Sequence, residues 1–526
     1  VSGAFLSAPN TEAGLPGALP GRLLDDLEGS GKIELLTFDA KLAPGLLAVP
    51  LGEAVTVDDW PVAPGSRRRV VLTRRDVYAP DARIVAIDGG REVEVPRSRL
   101  VFFWGSAEGD GSTSVLAFID PETGLLGGSS GSVDGSYDLH PPAAGQAVYE
   151  LHPARATDEA SPFQCGSDRL PVDPARARTR RERPDASFTR NLVTSLHSAV
   201  IAVDTDNELM LTKFANNTTT AANYIAQLVA GVNAIYERDM FVRLLQGYTI
   251  LRLSTTADPY TVVSGGSASS AQLQEASAYW QTNYPGIRRA LVMFLSGKQP
   301  AGGWSGIAWI GGLCQGYYGL SFNQVFRTGT TAGSGDFQLV GHEMGHNFGS
   351  PHTHCTDTSA ATGIQPIDFC NASECGTSWS PNPGASCPVA STITPMNGPP
   401  VTSVRGTIMS YCHLLAGCGV TNVFHPQTLS VAIGPDLDAA VGQCVFPVVG
   451  NPAPTVTAIA ATSGGTGGGT PVTITGTNFR SPATVAFGDL VRGVAATGVT
   501  VASPTRITAV TPAHAAGVTN VVVMNP

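Results

Sequence analysis

A chain of 526 residues is too long for one hydrophobic core, so two to four domains are expected. Charged residues are only 14% of the chain, and the formal net charge of -10 gives no electrostatic case for nucleic acid as a main partner. No apolar run reaches the ~18 residues of a membrane span. Gly (60) and Pro (38) are abundant, a composition that suits strand-rich, loop-rich extracellular domains. The sequence begins at Val1 with no signal segment, so an exported form is expected to have lost its leader already.

Residues 1 to about 160 alternate apolar and polar positions between Gly, Pro and Asp turns. Val70-Val71-Leu72, Leu100 to Trp104 and Ser114 to Ile119 read as strands, and no helical period stands out. The expectation is a β-rich domain over 1–175. From Arg176 to Arg190 six arginines sit among Pro, Asp and Thr, an exposed basic linker of the kind that proteases cut. The linker is assigned to 176–195.

A buried-strand run opens the next segment at Ser198 to Val203. Tyr224, Leu228, Val232, Ile235 and Tyr236 then recur at helical spacing, preceded by Thr218 to Thr220 as candidate caps. Strand patterns at Phe241–Leu245 and Tyr248–Leu251, a helix near Ser270–Thr282 and the strand Ala290–Leu295 follow. This alternation predicts an α/β domain over 196–448, with a mixed twisted sheet. After Asn451-Pro452-Ala453-Pro454, short Val/Thr/Ile strands separated by turn residues predict a small β-sandwich over 449–526. The last strand abuts Pro526, so the natural chain is expected to continue.

Nine cysteines are present; only Cys165 lies in the first 300 residues. Cys314, Cys355, Cys370, Cys375, Cys387, Cys412, Cys418 and Cys444 cluster without any C-x-x-C pair, which favours disulfides over a zinc knuckle and implies an oxidising compartment. The sequence alone selects no pairing among the eight.

The chemistry is concentrated in His342-Glu343-Met344-Gly345-His346. Histidines four apart on a helix share one face and can share a metal. Gly349 can adopt positive φ, end the helix and turn the chain so that His352 supplies a third imidazole. Three protein ligands leave zinc a fourth position for water, and Glu343 stands where it can accept that water's proton. His354 is a rival ligand.

These residues resemble the metzincin signature H-E-x-x-H-x-x-G-x-x-H of zinc proteases. Gly406-Thr407-Ile408-Met409-Ser410-Tyr411 resembles the clan's Met-turn, which would make Met409 an apolar floor under zinc and Tyr411 a transition-state stabiliser or ligand. His342 to Gly349, with Gly306 to Cys314, is most similar to the adamalysin or reprolysin (ADAM-like) group. That resemblance implies an edge strand at Gly306–Cys314 along which substrate lies as an added antiparallel strand. It also implies a Cys314–Cys444 disulfide and a structural calcium, with Asp204 or Asp206 as candidate ligands. Thr353 departs from the Asp usual after the third histidine in that group.

Trp104 to His140 loosely resembles an ADAM-like prodomain, and the unpaired Cys165 resembles the cysteine switch of such prodomains, a thiolate filling the fourth zinc position. Pro454 onward resembles an IPT/TIG immunoglobulin-like module, which can bind a surface or a glycan. The expectation is a secreted zinc metalloendopeptidase, made as a latent zymogen and acting on protein or peptide substrates. The alternative is an extracellular adhesion or binding protein with an inactive protease-like domain.

Overall fold

The computed structural model describes residues 6–7, 33–132, 135–142, 148–154, 164–167, 170, 195–264, 267–298, 305–325, 329–355, 367–371, 385–388, 391–393, 401–403, 405–415, 418–448, 454–480, 483–488 and 494–525. The basic segment Arg176–Arg190 and Cys375 lie outside the described residues.

The N-terminal region builds a nine-stranded sheet from β1 (Leu6–Ser7), β2 (Glu34–Thr37), β3 (Ala54–Ala63), β4 (Ser66–Arg75), β7 (Val101–Ala107), β8 (Asp110–Ile119), β9 (Leu126–Ser132), β10 (Gly135–His140) and β11 (Tyr149–Pro153). One short helix, α1 (Leu42–Leu47), interrupts it. Six residues are too few for a helical period to register in sequence; Leu42 and Leu46 simply dock on the sheet. Side chains alternate along β7 and β8. Phe103, Val115, Ala117 and Ile119 join the region's own core with Leu36, Trp60 and Leu72. Phe102, Trp104, Leu116 and Phe118 point the other way and join the core of the next domain.

That domain is built on a second nine-stranded sheet, whose main path is β12-β16-β17-β15-β13-β14-β5-β6. Its elements are β12 (Gln164–Cys165), β13 (His197–Thr205), β14 (Val242–Arg252), β15 (Leu291–Ser296), β16 (Ser305–Ala308) and β17 (Leu320–Gln324), with β5 (Ile84–Asp88) and β6 (Arg91–Val95) at the far end. A further strand, β20 (Val445–Pro447), pairs with the start of β13. The sheet is mixed: β13, β14, β15 and β17 are parallel, and β16 is antiparallel to β17. The division at residue 175 expected from sequence therefore does not divide the sheets. Three strands from before the linker belong to the second one: β5 and β12 pair with β14 and β16 across more than a hundred residues, and β6 follows as the hairpin partner of β5.

The helices of this domain include α2 (Asn207–Thr212), α3 (Thr218–Met240), α4 (Ser270–Asn283) and α5 (Ser334–Asn347), with a further helix at Gly434–Ala440. The cap of α3 is Asn217, one residue before the expected threonines; its side chain accepts from Thr220 N at 2.9 Å. Helix α4 starts in a Ser269–Gln272 capping box. Tyr224, Ile225, Leu228, Val232 and Tyr236 of α3 share a core with Phe337, Val340 and Met344 of α5. On the opposite face, Leu273, Ala276 and Trp280 of α4 pack with Val292, Phe294 and Phe322.

Disulfides join Cys314 to Cys444, Cys370 to Cys412 and Cys387 to Cys418, and Cys355 is also disulfide-bonded. The first spans 130 residues with a Cα–Cα distance of 5.5 Å. Loop-closure entropy then predicts that the Cys314→Ala, Cys444→Ala double variant loses about 4–5 kcal/mol of domain stability. Denaturant titration followed by Trp fluorescence would read this as a lower midpoint. An unchanged midpoint would mean that other contacts hold the two ends equally well.

The C-terminal module is a two-layer sandwich. One sheet holds β21 (Thr455–Ala460), β22 (Pro471–Thr477), β26 (Arg506–Val510) and β25 (Thr497–Ser503); the other holds β24 (Val494–Ala495), β23 (Thr484–Phe487) and β27 (Val521–Met524). Val472, Ile474, Phe479, Val485, Ile507 and Val523 fill the space between them. Among the described residues no helix is long and apolar enough to cross a membrane.

Candidate metal centre

Helix α5 carries His342 and His346 one turn apart, with Glu343 beside His342, all fully buried. Its interior glycines admit close neighbours. A Cβ on Gly345 would come within 2.7 Å of the Met409 sulfur, so Met409 lies directly beneath the helix. Gly349 has φ +102, and a Cβ there would meet Asp436, so the chain reverses where only glycine is unstrained. His352 follows on the returning loop, also fully buried.

The three imidazoles converge through Nε2. His346 Nε2 lies 3.2 Å and His352 Nε2 3.1 Å from His342 Nε2. Nδ1 of His342 donates to the Ile408 carbonyl at 2.7 Å, and Nδ1 of His346 donates to the Ser350 carbonyl at 2.6 Å. With the proton on Nδ1, each Nε2 presents a lone pair to the centre. Burial, followed by the neighbouring imidazoles, holds His342 well below the usual histidine range, so added protons are no remedy for this crowding. Lone pairs this close repel unless a cation lies between them. Tetrahedral zinc at about 2.0–2.1 Å from each nitrogen spaces its ligands by roughly 3.3 Å. The donor set therefore fits zinc in number, chemistry and spacing.

A fourth donor completes the group. Cys165 Sγ lies 3.4 Å from His346 Nε2 and 3.4 Å from Glu343 Oε2, and the four ligand atoms all fall within 4.8 Å of one another. Cys165 is the free cysteine among the described residues, and it is buried. Burial, reinforced by the Glu343 carboxylate, pushes its thiol up to about 12 when no cation offsets them.

Cys165 is held by main-chain contacts on both sides. β12 lies parallel to β16, pairing Gln164 with Ser305 and Cys165 with Gly306. The Tyr411 hydroxyl accepts from Cys165 N at 3.0 Å and donates to Cys165 O at 2.5 Å. Ser167 Oγ accepts from Ala308 N at 2.9 Å and from the Cys165 thiol at 3.1 Å. Gly306 stands against Glu343: a Cβ there would lie 2.4 Å from the carboxylate carbon. The sequence places Gly306 on the expected edge strand but shows neither its contact with Glu343 nor any role for Ser167; only the docked strand gives them meaning.

Thr353, which departs from the expected Asp, donates from its N–H to Met409 O and from its hydroxyl to the buried Asp368. The carboxylate under the third histidine's loop is thus supplied by a residue fifteen positions later. His354 is not among the four converging donors; its ring stacks on His352 at 5.2 Å. The cluster of Asp368, Cys370 and Cys412 contains a disulfide, so its sulfurs are not ligands.

The calcium expectation at Asp204 and Asp206 is not sustained. Asp204 accepts from Arg252 Nε and Nη2 at 2.9 Å each, from Trp280 Nε1 at 2.9 Å and from the Tyr260 hydroxyl. Asp206 caps α2 through Leu209 N and accepts from Gly297 N and Ser296. Calcium takes six to eight oxygens; these oxygens are already spent on donors, and a guanidinium cation adjoins one of them.

Comparison with known proteins places the two halves of this geometry. Residues 196–411 match metallo-peptidase family M12, and residues 454–526 match the IPT/TIG domain. Among solved structures, metalloproteinase-II from Bacteroides fragilis is similar over 62% of this chain and 89% of its own, at 9% identity and a TM-score of 0.29. That likeness is too distant to assign any residue. No curated protein sequence matches the chain.

Proposed function

We propose that this protein, whose residues 196–411 match metallo-peptidase family M12, is a secreted zinc endopeptidase held latent by its own Cys165. The observation that carries the proposal is the convergence of Cys165 Sγ with Nε2 of His342, His346 and His352.

In this reading His342, His346 and His352 hold the metal. Zinc, when bound, supplies Lewis acidity that polarises the scissile carbonyl and acidifies water. The remaining work belongs to the chain. Substrate lies along β16, bound by main-chain hydrogen bonds as an added strand. Glu343 takes the proton of the attacking water and hands it to the leaving amine. The Tyr411 hydroxyl, once released from the Cys165 peptide, donates to the developing oxyanion. Gly306 leaves Glu343 room to sit beside the substrate strand.

Latency follows from occupancy. The Cys165 segment takes the edge of β16, the Tyr411 hydroxyl and the fourth metal corner together. It runs parallel to β16, opposite to the antiparallel direction expected of substrate, so it fills the cleft without offering a peptide bond in the productive sense. Cutting in Arg176–Arg190 is the proposed first step of activation, and the disulfides accord with an oxidising, extracellular setting.

The direct test is zinc content by atomic absorption together with cleavage of unfolded casein by the linker-cut protein. One zinc per chain, activity abolished by a chelator and restored by zinc, is expected. Bound zinc with no cleavage at any stage of processing would leave the adhesion reading instead. A finer prediction concerns Gly306→Ala. Its methyl would displace Glu343 by about an ångström, which costs on the order of 100-fold in kcat/KM. Zinc content should stay unchanged; full activity would show that Glu343 need not occupy its present place.

A further inference from the structure

We propose that the N-terminal region is a permanent part of the folded enzyme, and that cutting the linker leaves it in place as a non-covalent subunit. It rests on the latency reading above only for its consequence, that activation withdraws residues 164–167 and nothing more.

β5 pairs in parallel with β14, matching Ile84 to Thr249, Val85 to Ile250, Ala86 to Leu251 and Ile87 to Arg252. The segment before it already tracks the same strand: Gln246 N donates to Val77 O, Ala79 N to Gln246 O and Thr249 N to Arg83 O. β5 is buried on both faces. Ile84 and Ala86 enter the core of α3 and α5, while Val85 enters the core of α4. A strand covered on both faces is an interior strand.

The true edge is β6, where Arg91, Glu92 and Glu94 are exposed charges that discourage further pairing. β14 has no such protection: Gln246, Thr249, Ile250 and Leu251 are all fully buried. Without the hairpin the backbone groups of Gln246 to Leu253 would lose their partners and the catalytic sheet would end on a bare edge.

Two other contacts lie elsewhere on the domain. Strands β7 and β8 rest on α3 and bury Phe102, Trp104, Leu116 and Phe118 in the catalytic core. Asp138 of β10 caps α5, the helix of His342 and Glu343, accepting from Ser334 N at 2.9 Å and Ser334 Oγ at 2.6 Å. Against these, β12 holds β16 by only two residue pairs. Hydrogen bonds from Tyr411, Gly166 and Ser167 add to that hold, but all of it is local to residues 164–167, whereas the hairpin pairs over four residues of β14 and is buried on both faces.

The test uses the full chain with a foreign protease's recognition sequence inserted between Arg176 and Arg190, folded and then cut. The two pieces should co-elute at the uncut volume in a 1:1 ratio and separate only in denaturant. By hydrogen exchange, the amides of Thr249 and Leu253, which donate to Arg83 and Ile87, should exchange within about twofold of the uncut rate. Separation of the pieces in native buffer overturns the proposal, whether the C-terminal piece stays soluble or precipitates, as does loss of protection at those amides. Neither readout uses peptidase activity. An inactive protein can satisfy them, and an active protease whose pieces part would keep its function and refute the subunit.

Discussion

Glu343→Gln is expected to lower kcat/KM toward a protein substrate by a factor of about 10²–10⁴ in the activated enzyme, the usual worth of a positioned general base. Glu343 shares a helix face with His342 and His346, is fully buried, and abuts Gly306 of the edge strand with no room for another group between them. Glutamine has the same shape and still fills that space, but cannot take a proton from water. Packing and the three imidazoles are untouched, so zinc stoichiometry and the thermal midpoint should match the parent. Measured side by side, retained zinc with lost turnover separates the base from the ligands. Undiminished turnover would remove Glu343 from the mechanism, and lost zinc would recast it as structural.

Cys165→Ala should act in the opposite direction and on the uncut chain. If the sulfur fills the fourth metal corner, its loss lets water enter while the linker is still intact. A latent state that is closed 99% of the time gains about 100-fold in activity when fully opened. The gain should fall somewhat short of cutting the linker, because β12 still pairs with β16 and Tyr411 still grips the residue 165 peptide through its backbone. Hydrolysis of a quenched peptide by uncut parent, uncut Cys165→Ala and cut parent would rank the three. A variant as silent as the parent would place latency in the strand alone.

Part of the site was legible because it is local. The four-residue spacing of His342 and His346 and the glycine at 349 are statements about one helix and one turn, and local backbone geometry carries them through any fold. The amphipathic period of α3 and the apolar runs of β13 and β15 are visible for the same reason. The excess of one cysteine could be counted without knowing where Cys165 would lie.

Other features left no such trace. Ile408 and Ser350 orient two of the histidines through backbone carbonyls, which every residue possesses. Asp368 lies under the third histidine's loop from a position that no motif spacing indicates. Calcium is not shown, because Asp204 accepts from Arg252, Tyr260 and Trp280 and Asp206 from Leu209, Ser296 and Gly297, neighbours brought in from up to 91 positions away. The hairpin Ile84 to Val95 shows the limit most plainly. It lies inside the stretch read only as β-rich, and nothing in it states which sheet.

The amino-acid sequence by itself determined a three-histidine motif with its glutamate, a β-rich start, an α/β middle and a sandwich at the end. It did so because periodicity and short spacings are written in neighbouring residues. The tertiary structure decided that the β-rich start completes the catalytic sheet at one edge, caps its helix with Asp138 and delivers Cys165 to the other edge. Those pairings join residues more than a hundred apart through backbone hydrogen bonds and shared apolar burial, which depend on closing long loops and not on any local pattern.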